Sequence, residues 1–386
     1  MKIFLIAGEA SGDRLGAALM AGLKSLETVE FQGVGGPLMQ AEGLQSLFPM
    51  DELSVMGLAE ILPKYLHLRR RLHQTAEAVL QAQPDVLITI DSPDFCLRVA
   101  KLVKAKSSIR TVHYVAPSVW AWRAKRAQKM AGVIDHVLAL LPFEPPYMQA
   151  AGMQCDFVGH PVVSEAQATP ADIQGFKARH SVQGPLWMVL PGSRRGEVSW
   201  LGARFSEVVR RVQAEKPELS IVIPTTQTVA PLVRDMVADW PVKPLILSPE
   251  GMDADRYTAE KRAAFGAADW ALAASGTVSL ELAAARTPMV IAYDLKPLSR
   301  FIISRMLKVD TLTLVNLVSE TRVIPEFIGQ ACRPELIAPA MLEVMDNPSP
   351  QLQAMDLTMQ RLGRGGEAPG LRAAKAILTR MKAANS

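Results

Sequence analysis

The sequence predicts an α/β protein: two doubly wound parallel-sheet domains followed by a helical C-terminal tail. Its 386 residues exceed what one ordinary core encloses, which favours two domains. Short apolar runs alternate with helix-periodic stretches, the rhythm of a parallel sheet covered by helices. That rhythm restarts after a polar interval at 164–184, without sequence repetition between the halves.

In the first domain, placed at 1–165, the apolar runs put strands at 2–7, 29–34, 86–90, 110–115, 136–140 and 155–158. Helical periodicity marks 14–26 and 65–80 between them. The run at 86–90 is apolar and β-branched on both faces, as in a buried parallel strand, and it stops at Asp91-Ser92-Pro93-Asp94. Open α/β sheets bind ligands beyond the carboxyl ends of their strands, so Asp91 is expected at the lip of a cleft. A cap on the next helix would use the same residue type, and spacing alone does not choose between the two. Asp94, behind the proline, reads as a cap or an orienting acid.

Residues 164–184 read as the linker. The second domain, placed at 185–345, has expected strands at 186–190, 219–224, 244–247, 269–274 and 288–292. From Arg333 onward the pattern is mostly helical, with a break at Gly363–Gly366 and a last helix at 371–382. The tail, 346–386, must dock, and packing back on the first domain is the expected solution.

Composition narrows the function. Apolar residues at 49% and charged residues at 21% make a globular chain. A net charge of +4 is too small to argue for nucleic acid. Cys96, Cys155 and Cys332 have no paired spacing, which argues against a disulfide framework or a zinc site and fits a reducing cytosol. The N-terminal apolar run is cut short at Gly8-Glu9, so it reads as a first strand and not as a secretory segment. No uncharged stretch is long enough to span a bilayer.

Several turns carry candidate chemistry. Gly8-Glu9-Ala10-Ser11-Gly12-Asp13 follows the first strand; its glycines permit close ligand approach, but its acids oppose phosphate, so Glu9 and Ser11 are assigned to a polyhydroxy sugar. Helix 63–80 carries an apolar stripe of Tyr65, Leu68, Leu72, Ala76 and Val79 beside Lys64, Arg70 and Arg71, with Val55, Met56, Leu58, Ile61 and Leu62 before it. Core packing explains such a stripe, and so does a basic, oily helix lying on a membrane. Trp120, Trp122 and Arg123 end the segment that begins at His113; the indoles suit a sugar or acyl surface and the guanidinium a phosphate. A packed loop with a solvated basic helix explains the same residues.

In the second domain, Leu190-Pro191-Gly192-Ser193-Arg194-Arg195-Gly196-Glu197 offers turn N–H groups and a forked guanidinium to phosphate oxygens. Ser275, Gly276 and Thr277 repeat the arrangement after a later strand, with Glu281 one turn on and suited to ribose hydroxyls. Asp253-Ala254-Asp255 resembles a metal-binding acid pair but lies away from a strand end, so no metal is assigned. Dinucleotide and P-loop fingerprints are absent, as are H-x-x-x-H and G-x-S-x-G.

Taken in order, Gly8-Glu9-Ala10-Ser11-Gly12-Asp13, Val55-Met56-Gly57, Asp91-Ser92-Pro93-Asp94-Phe95, the segment from His113 to Arg123, Leu141-Pro142-Phe143-Glu144, Gly159-His160-Pro161, Leu190-Pro191-Gly192-Ser193-Arg194 and Ala274-Ser275-Gly276-Thr277 closely resemble the lipid-A-disaccharide synthase family over nearly the whole chain. That resemblance implies the GT-B glycosyltransferase architecture of two Rossmann-like domains. Where the family has Pro-Asn-Leu, this chain has Val315-Asn316-Leu317.

The implied reaction joins UDP-2,3-diacylglucosamine to 2,3-diacylglucosamine 1-phosphate, giving a β-1′,6-linked disaccharide 1-phosphate and UDP. Inversion implies one in-line displacement, with a base for the acceptor hydroxyl and stabilisation of the departing diphosphate. The resemblance assigns Asp91 as the base, Arg194, Ser193, Ser275, Gly276 and Thr277 to the nucleotide, Glu281 to ribose and Asn316 as a further essential polar contact. It implies no cofactor and no metal, peripheral attachment to the cytoplasmic face of the inner membrane, and leaves a homodimer open. Two other readings use the same turns: a UDP-N-acetylglucosamine 2-epimerase-like isomerase, and a non-catalytic nucleotide-sugar or lipid-binding protein.

Overall fold

A computed structural model describes residues 1–53, 58–121, 125–295, 300 and 309–385. The chain divides into two compact units, 1–164 with 362–386, and 165–361. The first unit runs β1 (Lys2–Ala7), α1 (Ala10–Leu26), β2 (Glu30–Val34), α2 (Pro37–Ala41), β3 (Gln45–Ser46), α3 (Leu58–Ala82), β4 (Val86–Ile90), α4 (Pro93–Lys104), β5 (Arg110–Tyr114), α5 (Lys125–Ala131), β6 (His136–Ala139), α6 (Pro145–Gln149) and β7 (Gln154–Phe157). The second runs α7 (Pro170–Arg179), β8 (Leu186–Leu190), α8 (Arg195–Glu215), β9 (Ser220–Pro224), α9 (Ala230–Met236), β10 (Leu245–Leu247), α10 (Ala254–Ala267), β11 (Trp270–Ala273), α11 (Val278–Ala284), β12 (Met289–Tyr293), α12 (Leu314–Ser319), β13 (Glu326–Ile328), α13 (Pro334–Asp346) and α14 (Ser349–Arg361). Helix α15 (Pro369–Asn385) returns to the first unit.

Each unit is built on one parallel sheet. The first has strand order β3-β2-β1-β4-β5-β6-β7 and the second β10-β9-β8-β11-β12-β13. The order reverses once in each, between β1 and β4 and between β8 and β11, and such a reversal opens a crevice at the strands' carboxyl ends.

The apolar runs form strands because both of their faces are covered. On β1, Ile3, Leu5 and Ala7 pack with α1 and α15, while Phe4 and Ile6 pack on the opposite face with residues of α3 and α4. In the second unit Trp187 and Val189 meet Val198, Leu201, Phe205 and Val208 of α8 and Ile337 and Met341 of α13.

Three expectations change. The interval at 164–184 is not a bare linker: it holds α7, started by Thr169, whose hydroxyl accepts from Asp172 N at 3.2 Å while the Asp172 carboxylate accepts from Thr169 N at 2.9 Å. That reciprocal cap is legible in Thr169-Pro170-Ala171-Asp172. The tail is divided, because α14 packs against α11 and α12 within the second unit. Only α15 crosses back, lying on α1 where Gly22 and Gly370 face each other; a Cβ on Gly370 would stand 2.4 Å from the Ala18 carbonyl oxygen. Arg380 then ties it to Asp156 at 2.9 and 3.0 Å. The run 110–115 ends one residue early, because Val115 sits at φ +88°, where a β-branched residue does not continue a ladder.

Candidate functional site

In the first unit the register pairs Ala7 with Ile90, so the turns after β1 and β4 lie side by side at the order reversal. Gly8 is required there: a Cβ on it would stand 2.6 Å from Ser92 Oγ. Asp91 and Ser92 both occupy left-handed backbone, at φ +50° and +41°, on the next strand end to the strained Val115. Non-glycine residues in that region cost about 1 kcal/mol or more each, and such strain collects where a fold fixes a functional side chain.

The helix-cap reading of Asp91 does not hold. Ser92, not Asp91, is the N-cap of α4, and no side chain caps that helix. The Asp91 carboxylate instead accepts from the Ser92 N–H, while burial pushes its pKa above the ordinary aspartate value against that hydrogen bond. A half-buried carboxylate on a left-handed turn, with a raised proton affinity, is of the kind that can serve as a general base. Asp94 caps nothing either; its side chain is 96% exposed and reaches only to 4.0 Å from Arg126.

Other acids and bases of this rim have different work. Asp13 is 3% exposed, and its carboxylate accepts from the backbone N–H of Gly36, Leu38 and Met39 at 2.9–3.0 Å, fixing the start of α2. It is therefore no sugar ligand, whereas Ser11 on the first turn of α1 is exposed and Glu9 half-buried. His113 is 1% exposed, bonded through Nδ1 to Thr89 Oγ1 at 2.7 Å. Burial, aided by Arg126, holds its pKa down to about 4, so it stays neutral.

Trp120 is 8% exposed. Its ring meets Phe143 edge-on at 5.3 Å, and its indole N–H donates to Glu144 at 3.3 Å, so it packs the loop and does not offer a sugar platform. Glu144 also accepts from Leu141 N at 3.0 Å, and burial raises its pKa to about 7. Trp122 and Arg123 lie outside the described residues.

Helix α3 divides its apolar residues, including Leu66 off the main stripe, into two groups. Leu72, Ala76 and Val79 pack in the core with β1 and β4 residues. Tyr65 and Leu66 are 52% and 74% exposed, with Arg69 and Arg70 exposed beside them. Val55 and Met56, and the side chains of Leu58, Ile61, Leu62 and Lys64, lie outside the description. Among the described residues no helix is long and apolar enough to cross a membrane.

In the second unit Ala273 pairs with Leu190, so the turns after β8 and β11 are again neighbours at the reversal. Ser193 and Arg194 are exposed at the start of α8, with Glu197 folded back on them. Tyr293, at the end of β12, has its phenol pKa raised by burial, with Glu197 raising it further and Arg194 opposing. Gly276 and Thr277 are exposed and Ser275 half-buried; nothing lies within 4 Å of a Cβ placed on Gly276, which leaves room for a ligand. Glu281 is paired with Lys261 at 2.7 Å, a partner with no signal in the sequence.

Asn316 is 1% exposed. Its Nδ2 donates to the Ile324 carbonyl at 2.9 Å and its Oδ1 accepts from Ile324 N at 3.1 Å. Both ends of the amide hold the chain leading into β13, a structural duty that the sequence did not show. Asp253 is the N-cap of α10, accepting from Arg256 N at 2.8 Å, and among the described residues no cluster of histidines, cysteines and acids could hold a metal ion.

A family model described as lipid-A-disaccharide synthetase matches residues 3–377. The lipid-A-disaccharide synthase of Ruegeria pomeroyi is 61% identical over 383 residues, covering 99% of this chain and 96% of the relative. That of Rhodospirillum centenum is 46% identical over 386 residues, covering 98% and 94%. Among solved structures, a UDP-GlcNAc 2-epimerase from Neisseria meningitidis bound to UDP-GlcNAc superposes with a TM-score of 0.65 at 11% identity, covering 99% of this chain and 100% of that one. A second, described as a putative UDP-N-acetylglucosamine 2-epimerase from Listeria monocytogenes, gives 0.63 at 16% identity, covering 99% and 96%. At those identities the likeness is one of fold.

Proposed function

Because the chain belongs to the lipid-A-disaccharide synthase family, and is thereby a hexosyltransferase of lipid A synthesis with a GT-B-like fold, we propose how its residues divide the chemistry. The substrates are UDP-2,3-diacylglucosamine and 2,3-diacylglucosamine 1-phosphate. The acceptor 6-hydroxyl attacks the donor's anomeric carbon and gives its proton to Asp91. The bond from that carbon to the diphosphate breaks with its electron pair going to the departing UDP. One displacement inverts the α donor linkage to β.

The observation that carries this reading is Asp91: half-buried, raised in pKa, clear of any capping duty, and fixed by left-handed backbone at the order reversal of the first sheet. Arg194 meets the leaving charge, with Ser193, Ser275, Gly276 and Thr277 on the nucleotide and Glu281 on ribose. Arginine suits that duty because its charge is permanent and its donors are forked. Glu9 and Ser11 face the acceptor sugar. Tyr65 and Leu66, flanked by Arg69 and Arg70, form the membrane contact: an apolar pair enters the interface while the arginines meet anionic headgroups. The enzyme then works as a peripheral protein on the cytoplasmic face of the inner membrane.

The test is Asp91→Asn. Donor binding is expected to persist while turnover falls by about two or more powers of ten. Near-normal turnover would remove Asp91 from the role. The family match does not favour the epimerase reading, and incubation with donor alone checks it directly, since the transferase yields no epimer and releases UDP with disaccharide only once acceptor is added.

A further inference from the structure

The turn after β8 already holds an anion of its own. Glu197, one helical turn into α8, folds back so that Oε2 accepts from Ser193 N and Arg194 N at 3.2 Å each, and Oε1 accepts from Arg194 Nη1 at 3.1 Å. Gly192, at φ +120°, wraps this carboxylate closely: a Cβ there would stand 2.7 Å from both Glu197 Cβ and Oε2. Two N–H groups that the sequence offers to phosphate are therefore engaged by the chain itself. The Arg194 side chain stays 64% exposed, against 16% for Glu197.

An exposed ion pair of this kind adds little to stability. It restricts a long side chain that otherwise samples many rotamers. Transition-state stabilisation depends on where a charge is held, and a displacement of about 1 Å costs roughly 100-fold in rate. We infer, on the reading that Arg194 meets the departing diphosphate, that Glu197 is the positioning residue for that arginine. It closes the turn's own N–H groups and anchors one guanidinium nitrogen, so the leaving charge meets the remaining guanidinium donors and not the turn backbone. Glu197 touches no substrate atom; it acts through Arg194.

The rival account is that the carboxylate only competes with the diphosphate for these donors and is displaced by it. The two differ in what neutralising it does. The experiment compares full-length wild type, Glu197→Gln, Arg194→Gln and the double variant in lipid–detergent micelles, measuring kcat, donor KM and the Kd for UDP by calorimetry, with thermal melts as the folding control. Glutamine keeps an acceptor for the turn, so the variant is expected to fold.

Glu197→Gln is expected to lower kcat about 10- to 100-fold. UDP affinity and donor KM should move less than about threefold, and the loss should disappear in the Arg194→Gln background, as coupled residues require. Tighter UDP binding with unchanged kcat would make Glu197 a competitor and overturn the inference. Losses that multiply in the double variant would reduce it to a helix cap acting independently of Arg194, and an unchanged Glu197→Gln beside an impaired Arg194→Gln would overturn it equally. Near-normal kcat in Arg194→Gln alone would instead refute the role of the arginine, and the inference with it.

Discussion

Glu144 makes the stability of the protein depend on pH in an unusual direction. It is 3% exposed, with a pKa raised from 4.5 to about 7, burial outweighing the hydrogen bonds from Leu141 N and the Trp120 indole. Between those two values the folded chain keeps a proton that the unfolded chain has lost, so stability falls as pH rises. The contribution is complete below the unfolded value of 4.5 and is lost as pH passes the folded value near 7. A shift of that size is worth about 3 kcal/mol.

In Glu144→Gln the amide cannot titrate, and one of its ends faces an N–H donor. That imposes a cost of about 1–3 kcal/mol at every pH. The quantity to measure is the difference in unfolding free energy between wild type and variant, from urea titrations followed by tryptophan fluorescence. From about pH 4 to about pH 8 it should move by about 3 kcal/mol in the variant's favour. His113 and His136, held down to about 4 mainly by burial, drive stability the opposite way as pH falls, but they are common to both proteins and cancel. A difference constant to about 0.5 kcal/mol over this range would mean that Glu144 is not a buried titrating acid, and the account of the Trp120 loop would fail with it.

Asp13→Ala removes the acceptor for three backbone N–H groups and should cost about 2–4 kcal/mol in urea unfolding with little change in kcat; a kinetic defect at unchanged stability would give Asp13 a part in the site that its hydrogen bonds do not show. Asn316→Ala should lower the melting temperature, because both ends of its amide hold Ile324, and a fall in kcat with no thermal shift would favour the essential polar contact that the family resemblance implies. Tyr65→Ser with Leu66→Ser should weaken sedimentation with anionic vesicles while leaving kcat on detergent-dispersed substrate unchanged, and unaltered sedimentation would place the membrane contact elsewhere. Activity should survive EDTA; loss restored by magnesium would bring Asp253 and Asp255 back into the mechanism.

The two sheets were legible because their central strands are buried on both faces, which forces continuous runs such as Ile3 to Ala7 and Val86 to Ile90. Two of the four edge strands, β3 and β13, escaped for the complementary reason. Gln45–Ser46 spans two polar residues and Glu326–Ile328 is three partly exposed ones, so neither needs an apolar run. The places of the site turns were legible too, because a strand end followed by glycine or an acid marks the crevice at a strand-order reversal.

What the acids in those turns do was not legible. Asp13, Asp91, Glu144 and Glu197 each stand at or near a strand end in the sequence, yet one fixes α2, one is raised in pKa on strained backbone, one is buried under an indole and one clamps an arginine. The difference is made by which N–H groups reach each carboxylate. For Asp13 these lie 23 to 26 residues away and for Glu144 the indole lies 24 away, distances at which no local pattern exists. Glu197 did carry a local signal that the sequence reading left unused, since its partners lie three and four residues back. A carboxylate that the fold supplies with several N–H donors is held as structure, whereas among the described residues Asp91 accepts from the Ser92 N–H and is half-buried. That imbalance between burial and donors is what raises its proton affinity, the property on which its proposed role as the base rests.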